Sequence, residues 1–176
     1  LSIICDKLEI NVWELIALAN RHPRVDILQP GPGVGGHCIA VDPWFIAASC
    51  PDESRLIRTA RQVNDEKPVW VGQKVGVEIA RFLSENPEKT ISDIVIACYG
   101  LSFKPNIDDL RESPALNIAK RIIERHKAKI MLVEPNITEL PDILSGGTLV
   151  DFEIALSEAD IHILLVDHRE FKGNGP

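Results

Sequence analysis

The sequence predicts an α/β protein in two parts: a helical domain over residues 1–84, then a doubly wound parallel sheet over residues 85–176. Three observations predict it. The first part carries apolar side chains at helical spacing, interrupted by a long Gly- and Pro-rich loop. From Ile94 the period changes to short apolar runs, the form of strands buried on both faces. Those runs then alternate with helical segments, which is the order of a parallel sheet with helical crossovers.

Composition sets the frame. A chain of 176 residues buries a core without disulfide staples, and 45% hydrophobic with 26% charged residues excludes global disorder. The net charge is -7, and 19 Lys and Arg lie scattered among 26 Asp and Glu, so no basic stripe exists and no nucleic-acid partner is expected. The most apolar window, Ile94 to Leu101, is too short to span a bilayer, and Leu1-Ser2-Ile3-Ile4 has neither a basic region nor a cleavage site. No membrane association is expected, and a cytoplasmic location follows as the default. Cys5, Cys38, Cys50 and Cys98 are far apart with no C-x-x-C, which points to neither a zinc site nor a disulfide framework. The chain opens inside an apolar periodic segment, and is expected to be a piece of something longer.

The elements follow in order. The first residues read as the tail of a helix. Asn11 and Glu14 have capping-box spacing, and Val12, Leu15, Ile16 and Leu18 give a helical apolar face as far as about Asn20. His22 to Val41 is a long Pro- and Gly-rich loop, uncommon unless functional. Asp42-Pro43 reads as N-cap and N1 of a short helix through Ala48, and Asp52 to about Ser84 as largely helical, broken or restarted at Pro68. Ile94 to Tyr99 is a strand, Ser113-Pro114 opens a helix to about Arg125, and Lys129 to Val133 is a second strand. A helix over Asp151 to Ala159 and a strand over Ile161 to Val166 complete the pattern, with a ligand crevice expected at the carboxyl ends of the strands.

Three constellations carry chemistry. Gly31-x-Gly33-x-x-Gly36 matches the dinucleotide fingerprint in form, with Asp52 near where a ribose-binding acid would stand, but no strand leads into it and Pro30, Pro32 and Pro43 interrupt it. The glycines instead let backbone approach a ligand and deliver His37 and Cys38 at the loop tip. Cys38 with Asp42 four residues on supplies a thiol and a carboxylate, the parts for covalent capture of a carbonyl and activation of a water. The bland alternative makes Cys38 a small buried hydrophobe and Asp42 a cap. Cys5, Cys50 and Cys98 take the bland reading, and His37 is either a substrate contact or an exposed loop residue. The third constellation is the loop Gly100 to Pro114, where Lys104 and Arg111 place two cations beside a helix N-terminus and imply a phosphate-bearing ligand. Against that, Asp108, Asp109 and Glu112 could simply balance both charges. Arg21, His22 and Arg24 form a further small basic cluster.

The runs Gly31 to Phe45 and Phe103 to Pro114, together with Asn20-Arg21-His22-Pro23-Arg24 and Leu165-Val166-Asp167-His168, resemble the nucleotide-sugar 6-dehydrogenase family, the UDP-glucose/GDP-mannose dehydrogenases. The resemblance covers nearly the whole chain but only that family's helical central dimerisation domain and its Rossmann-like C-terminal domain, which binds the nucleotide-sugar. It implies that Cys38 is the nucleophile and that Asp42 assists the water that releases product. It implies that Lys104 binds the substrate nucleotide, with Gly35, Gly36 and His37 as substrate contacts, and that Arg111 reaches the NAD cofactor. Arg24 resembles an arginine that crosses to the partner's substrate in a homodimer. The implied reaction oxidises the C6 alcohol of a UDP-sugar to a carboxylate with two NAD, through a thiohemiacetal and a thioester on Cys38. The Gly-His-Cys-Ile-Ala run favours an N-acetylmannosamine sugar, with UDP-N-acetylglucosamine and UDP-glucose as alternatives. An N-terminal NAD-binding domain, a lysine- and asparagine-bearing helix and a final strand are missing from these 176 residues, so this chain alone is expected to be inactive. A non-catalytic, dimerising UDP-sugar-binding module is the competing class. A cysteine hydrolase is disfavoured because no histidine has an evident base role.

Overall fold

Capping chemistry decides where the first full helix begins. The computed structural model describes residues 1–172, so the end of the 85–176 part lies outside the described residues. It resolves into two compact units, Leu1–Gly31 and the chain from Pro32 onward. In the first, α1 (Ser2–Lys7) is followed by α2 (Val12–Ala19), whose start is fixed by the Asn11 side chain accepting the N–H groups of Trp13 and Glu14 at 3.0 and 3.3 Å. Cys5, Val12 and Ile16 are buried with Leu15 and Ile27 against them, while Leu18 turns outward. The Asn20 carboxamide stands in for a strand partner: it donates to the Ile27 carbonyl at 2.9 Å and accepts the Ile27 N–H at 2.7 Å.

The second unit holds α3 (Asp42–Ser49), α4 (Arg55–Glu85), β1 (Val95–Tyr99), α5 (Pro114–Arg125), β2 (Lys129–Val133), β3 (Thr148–Leu149), α6 (Phe152–Glu158) and β4 (Ile161–Leu164). Pro68 does not break α4, which runs unbroken for 31 residues with the proline buried inside it. A proline costs an α-helix about 3 kcal/mol, whereas each fully buried aliphatic side chain contributes about 1.5–3 kcal/mol. α4 packs against both α3 and α5 and sends Val75 and Ile79 into the main core, so packing outweighs the lost hydrogen bond.

The sheet is parallel throughout, in the order β3-β2-β1-β4. Val95 to Tyr99 stand opposite Lys129 to Val133, and Ile96 to Tyr99 opposite Ile161 to Leu164. Alternation along β1 divides the core in two. Ile96 and Cys98 face α4 and α5 together with Ile130 and Leu132. Ala97 and Tyr99 face α6 together with Val133, Phe152 and Phe171. Helices therefore cover both faces, as a doubly wound sheet requires. β4 stops at Leu164 because the next two N–H groups, of Leu165 and Val166, both turn in to the Tyr99 carbonyl. Gly100 allows that closure: its φ is +83°, and a Cβ there would lie 2.5 Å from the Val166 carbonyl oxygen. The chain leaves β1 toward β2 and β3, then returns to lay β4 on the other side of β1. The switch point of the sheet thus lies at the carboxyl ends of β1 and β4.

Candidate active site

The loop after β1 and the glycine-rich loop before α3 interlock. At Gly35 a Cβ would stand 2.2 Å from the Glu112 carbonyl oxygen and 2.7 Å from Pro114 Cδ, so hydrogen is the largest side chain the contact admits. Gly36, at φ +91°, lies against the Phe103 ring, and Gly33 against Pro114. Asn64 of α4 locks the same loop from below. Its Oδ1 accepts the Val34 N–H at 2.7 Å and its Nδ2 donates to the Val34 carbonyl at 3.0 Å. The backbone is thereby pinned from Gly33 to Gly36, and His37 and Cys38 project exposed at its tip.

The Cys38 carbonyl then accepts the N–H groups of Val41 and Asp42 at 3.0 and 2.8 Å, which turns the chain into α3. Asp42 is the first residue of that helix and Val41 its cap, one position earlier than the sequence predicts. The Asp42 carboxylate is exposed in the first turn of α3, where a negative charge favours the helix N-terminus, and it makes no capping hydrogen bond. Cys5 and Cys98 are buried, and burial pushes the Cys98 thiol up to about 12, so it is chemically inert. Cys50 is exposed where α3 ends.

Arg111 lies within electrostatic reach of Cys38, although its main partner is Asp109. Asp109 holds the guanidinium by two of its nitrogens, Nε at 2.9 Å and Nη2 at 2.6 Å, and accepts the Arg111 N–H at 3.0 Å. Those hydrogen bonds bring the Asp109 carboxyl down to about 2. The expectation that acidic neighbours balance the loop cations thus holds for Arg111. It does not hold for Lys104, which is exposed and has no ion-pair partner among the described residues. Its Nζ lies 5.6 Å from the centre of the Phe103 ring that also meets Gly36. Cys38, His37, Lys104 and Arg111 therefore belong to one pair of interlocked loops. Arg24 belongs to the first unit, exposed, with its N–H on His22 Nδ1 at 3.2 Å. Among the described residues no cluster of three His, Cys, Asp or Glu could hold a metal ion.

Two features were not legible in the sequence. A cavity of ≈ 280 Å³ lies behind the Cys38 turn, bounded by Ala40, Val41, Trp44, Arg61 and Asn64. Under the loop after β1, Glu134 at the end of β2 and His168 after β4 form a buried pair at 3.1 Å. Burial alone would raise the Glu134 carboxyl, but hydrogen bonds from His168, the Leu101 N–H and Asn136 outweigh it and bring it down to about 2. A carboxylate held below its ordinary value of 4.5 adds stability that is complete above that value and is lost as pH falls toward 2. Glu134→Gln is therefore expected to lower the melting temperature at pH 7 and to flatten its fall between about pH 4.5 and 2. Scanning calorimetry across that range checks it, and an unchanged acid limb would contradict it.

Comparison with known proteins adds to this geometry. Residues 1–66 match the central domain of the UDP-glucose/GDP-mannose dehydrogenase family, and residues 97–175 match that family's UDP binding domain. The chain is 60% identical over 173 residues to the UDP-N-acetyl-D-mannosamine dehydrogenase of Escherichia coli (strain K12), an alignment covering 98% of this chain and 41% of that protein. It is 56% identical over 172 residues to the NDP-N-acetyl-D-galactosaminuronic acid dehydrogenase of Ralstonia nicotianae, covering 98% and 38%. Among solved structures it matches the UDP-D-ManNAc dehydrogenase of Pyrococcus horikoshii with TM-score 0.77 and 33% identity, over 97% of this chain and 38% of that one. The chain spans about two fifths of the length of the curated relatives it matches.

Proposed function

We propose, because the chain belongs to the UDP-glucose/GDP-mannose dehydrogenase family, that the whole protein oxidises the C6 alcohol of a UDP-sugar to the uronic acid, with Cys38 as its covalent nucleophile. The observation that carries this reading is the interlock of Gly35 with Glu112 and Pro114, which joins the thiol-bearing loop to the cation-bearing loop at the switch point of the sheet. UDP-N-acetyl-D-mannosamine is the substrate the relatives favour, with UDP-N-acetylglucosamine and UDP-glucose as alternatives.

Two hydrides leave the sugar, one from the alcohol and one from the thiohemiacetal, and bound NAD supplies the acceptor for both. The chain's own part is positioning and capture. The Cys38 thiolate adds to the C6 aldehyde to form a thiohemiacetal, whose oxidation leaves a thioester. Asp42, exposed and unengaged by a cap, takes the proton of the water that cleaves the thioester, which releases the carboxylate and returns the thiol. Lys104 meets the diphosphate as an ammonium with no competing carboxylate, while Gly35, Gly36 and His37 present the edge along which the sugar lies. Arg111 fits a contact to NAD, since Asp109 engages Nε and Nη2 and leaves its remaining nitrogen for an anion. The Gly31-x-Gly33-x-x-Gly36 run does not fit a cofactor cradle, because it packs on Phe103 and Pro114 and no strand leads into it.

The division at residues 84 and 85 falls between the two matched domains. Pairing of two copies through the helical domain is supported by apolar side chains that each chain leaves exposed there, Trp13, Leu18, Phe45, Leu56 and Val77 among them. Arg24 then serves the partner's substrate. No helix among the described residues is long and apolar enough to cross a membrane, which agrees with a place in the cytoplasm. In the whole protein, Lys104→Ala is expected to weaken UDP-sugar binding and Arg111→Ala to weaken NAD, each by about tenfold to a hundredfold, the effect of losing one charge-assisted contact. Separate titrations of the two ligands test it. Both variants binding both ligands like the unaltered protein would return the loop charges to the surface and overturn the reading.

A further inference from the structure

His168 is fully buried, and none of the roles above uses it. Its Nδ1 accepts the backbone N–H of Asn106 at 2.9 Å and faces the Asn136 side-chain nitrogen at 3.3 Å. A neutral imidazole has one donor and one acceptor nitrogen, so an accepting Nδ1 assigns the proton to Nε2. That nitrogen faces Glu134 Oε2 at 3.1 Å and Ser102 Oγ at 3.3 Å. Ser102 spends its own proton on the Lys104 carbonyl at 2.9 Å, which leaves its oxygen free to accept. Glu134 Oε2 also takes the N–H groups of Leu101 and Ser102 at 2.7 and 3.1 Å. Every hydrogen-bonding demand in the cluster is met by one tautomer.

The segment Leu101 to Asn106 is thus suspended from two side chains that belong to other strands. Glu134, from the end of β2, holds its first half. His168, from beyond β4, holds the backbone N–H of its last residue, Asn106, which is in the left-handed region at φ +63° and whose Oδ1 also accepts the Arg169 N–H at 2.9 Å. Lys104 sits between the two anchors. We infer that His168 is a positioning residue for the nucleotide site: through Nδ1 it fixes Asn106, and so sets where Lys104 presents its ammonium to a nucleoside diphosphate. The inference rests on the reading that the UDP-sugar docks on this loop. A turn held in place before the ligand arrives avoids the ordering cost that a loose one pays on binding.

Two substitutions separate positioning from packing. An asparagine at 168 places its carbonyl oxygen near the position of Nδ1 and keeps the acceptor for Asn106, but loses Glu134. A glutamine reaches Glu134, fills the cavity better and abandons Asn106. If His168 acts through Nδ1, His168→Gln weakens UDP binding to the whole protein about tenfold while His168→Asn stays within about threefold. A merely structural role reverses that order, since glutamine is nearer histidine in size. Calorimetric titration with UDP reads the affinities. Nitrogen-detected NMR of the imidazole reads the tautomer, expected as Nε2–H. UDP binding with the glutamine variant equal to the unaltered whole protein, or with asparagine the worse of the two, overturns the inference alone. No UDP binding by the unaltered whole protein overturns the nucleotide reading and the inference with it. A proton found on Nδ1 contradicts the inference whatever the nucleotide does.

Discussion

Cys38→Ser in the whole protein is expected to reduce uronic acid formation from UDP-N-acetyl-D-mannosamine and NAD by roughly a thousandfold or more. The reason lies in what surrounds the sulfur. Sulfur is a far stronger nucleophile toward an aldehyde than a hydroxyl oxygen, and the Arg111 guanidinium lies within electrostatic reach of it. A serine hydroxyl in the same place needs a general base. The described hydrogen bonds give Cys38 no such partner, and the nearest histidine in sequence, His37, is an exposed loop residue. Cys50→Ser serves as the control, because that thiol is exposed at the far end of α3 and is expected to leave the rate unchanged. Chromatographic measurement of the acid checks both, and near-normal turnover by Cys38→Ser would remove the covalent step.

Gly35→Ala is expected to lower kcat/KM by about a hundredfold or more while leaving UDP affinity within a few-fold of normal, since misplacing a reacting group by about 1 Å has that effect. The added methyl would meet the Glu112 carbonyl at 2.2 Å, Pro114 Cδ at 2.7 Å and Phe103 Cβ at 3.1 Å. None of these is the free end of a flexible side chain, so the glycine loop must lift from the loop below and carry Cys38 with it. Lys104 stays in place because Glu134 and His168, not the glycine loop, hold its segment. Gly31→Ala is the matched control, having nothing within 4 Å of its added Cβ. Equal kcat/KM for the two variants would show that the interlock does not position the thiol.

Much of this architecture is legible where a single local interaction decides the outcome. Asn11 caps α2 and Ser113 caps α5 by accepting the Leu116 N–H at 3.2 Å, and both starts follow from residue type and spacing alone. β2 runs from Lys129 to Val133 as its apolar run predicts. Reading fails where distant packing competes with local preference. Pro68 is a helix breaker by its chemistry, yet the burial of Val75 and Ile79 carries α4 through it. Leu18 belongs to the apolar period of α2 but finds no neighbour to cover it. β3 has only two residues, too few to form an apolar run, and exists because β2 offers it an edge.

The site divides in the same way. Cys38, Lys104 and Arg111 stand in Gly- and Pro-rich loops whose composition marks them, whereas Asn64 is one polar residue among many on a long helix. Its clamp on Val34 spans 30 residues and leaves no local pattern. Glu134 and His168 are 34 residues apart and meet only because the sheet places the ends of β2 and β4 on either side of β1. The α3 cap falls on Val41 rather than Asp42, which leaves the Asp42 carboxylate in the first turn of the helix, four residues from the thiol.

The most direct measurement is mass spectrometry of the whole protein quenched during turnover with the UDP-sugar and NAD, comparing the unaltered protein with Asp42→Asn. Slowing the water step without slowing capture must let the thioester accumulate. The account predicts a sugar-acyl adduct on the peptide bearing Cys38, more abundant in Asp42→Asn. Acid formation with no adduct at Cys38 in either protein, or an adduct confined to another cysteine, would contradict it.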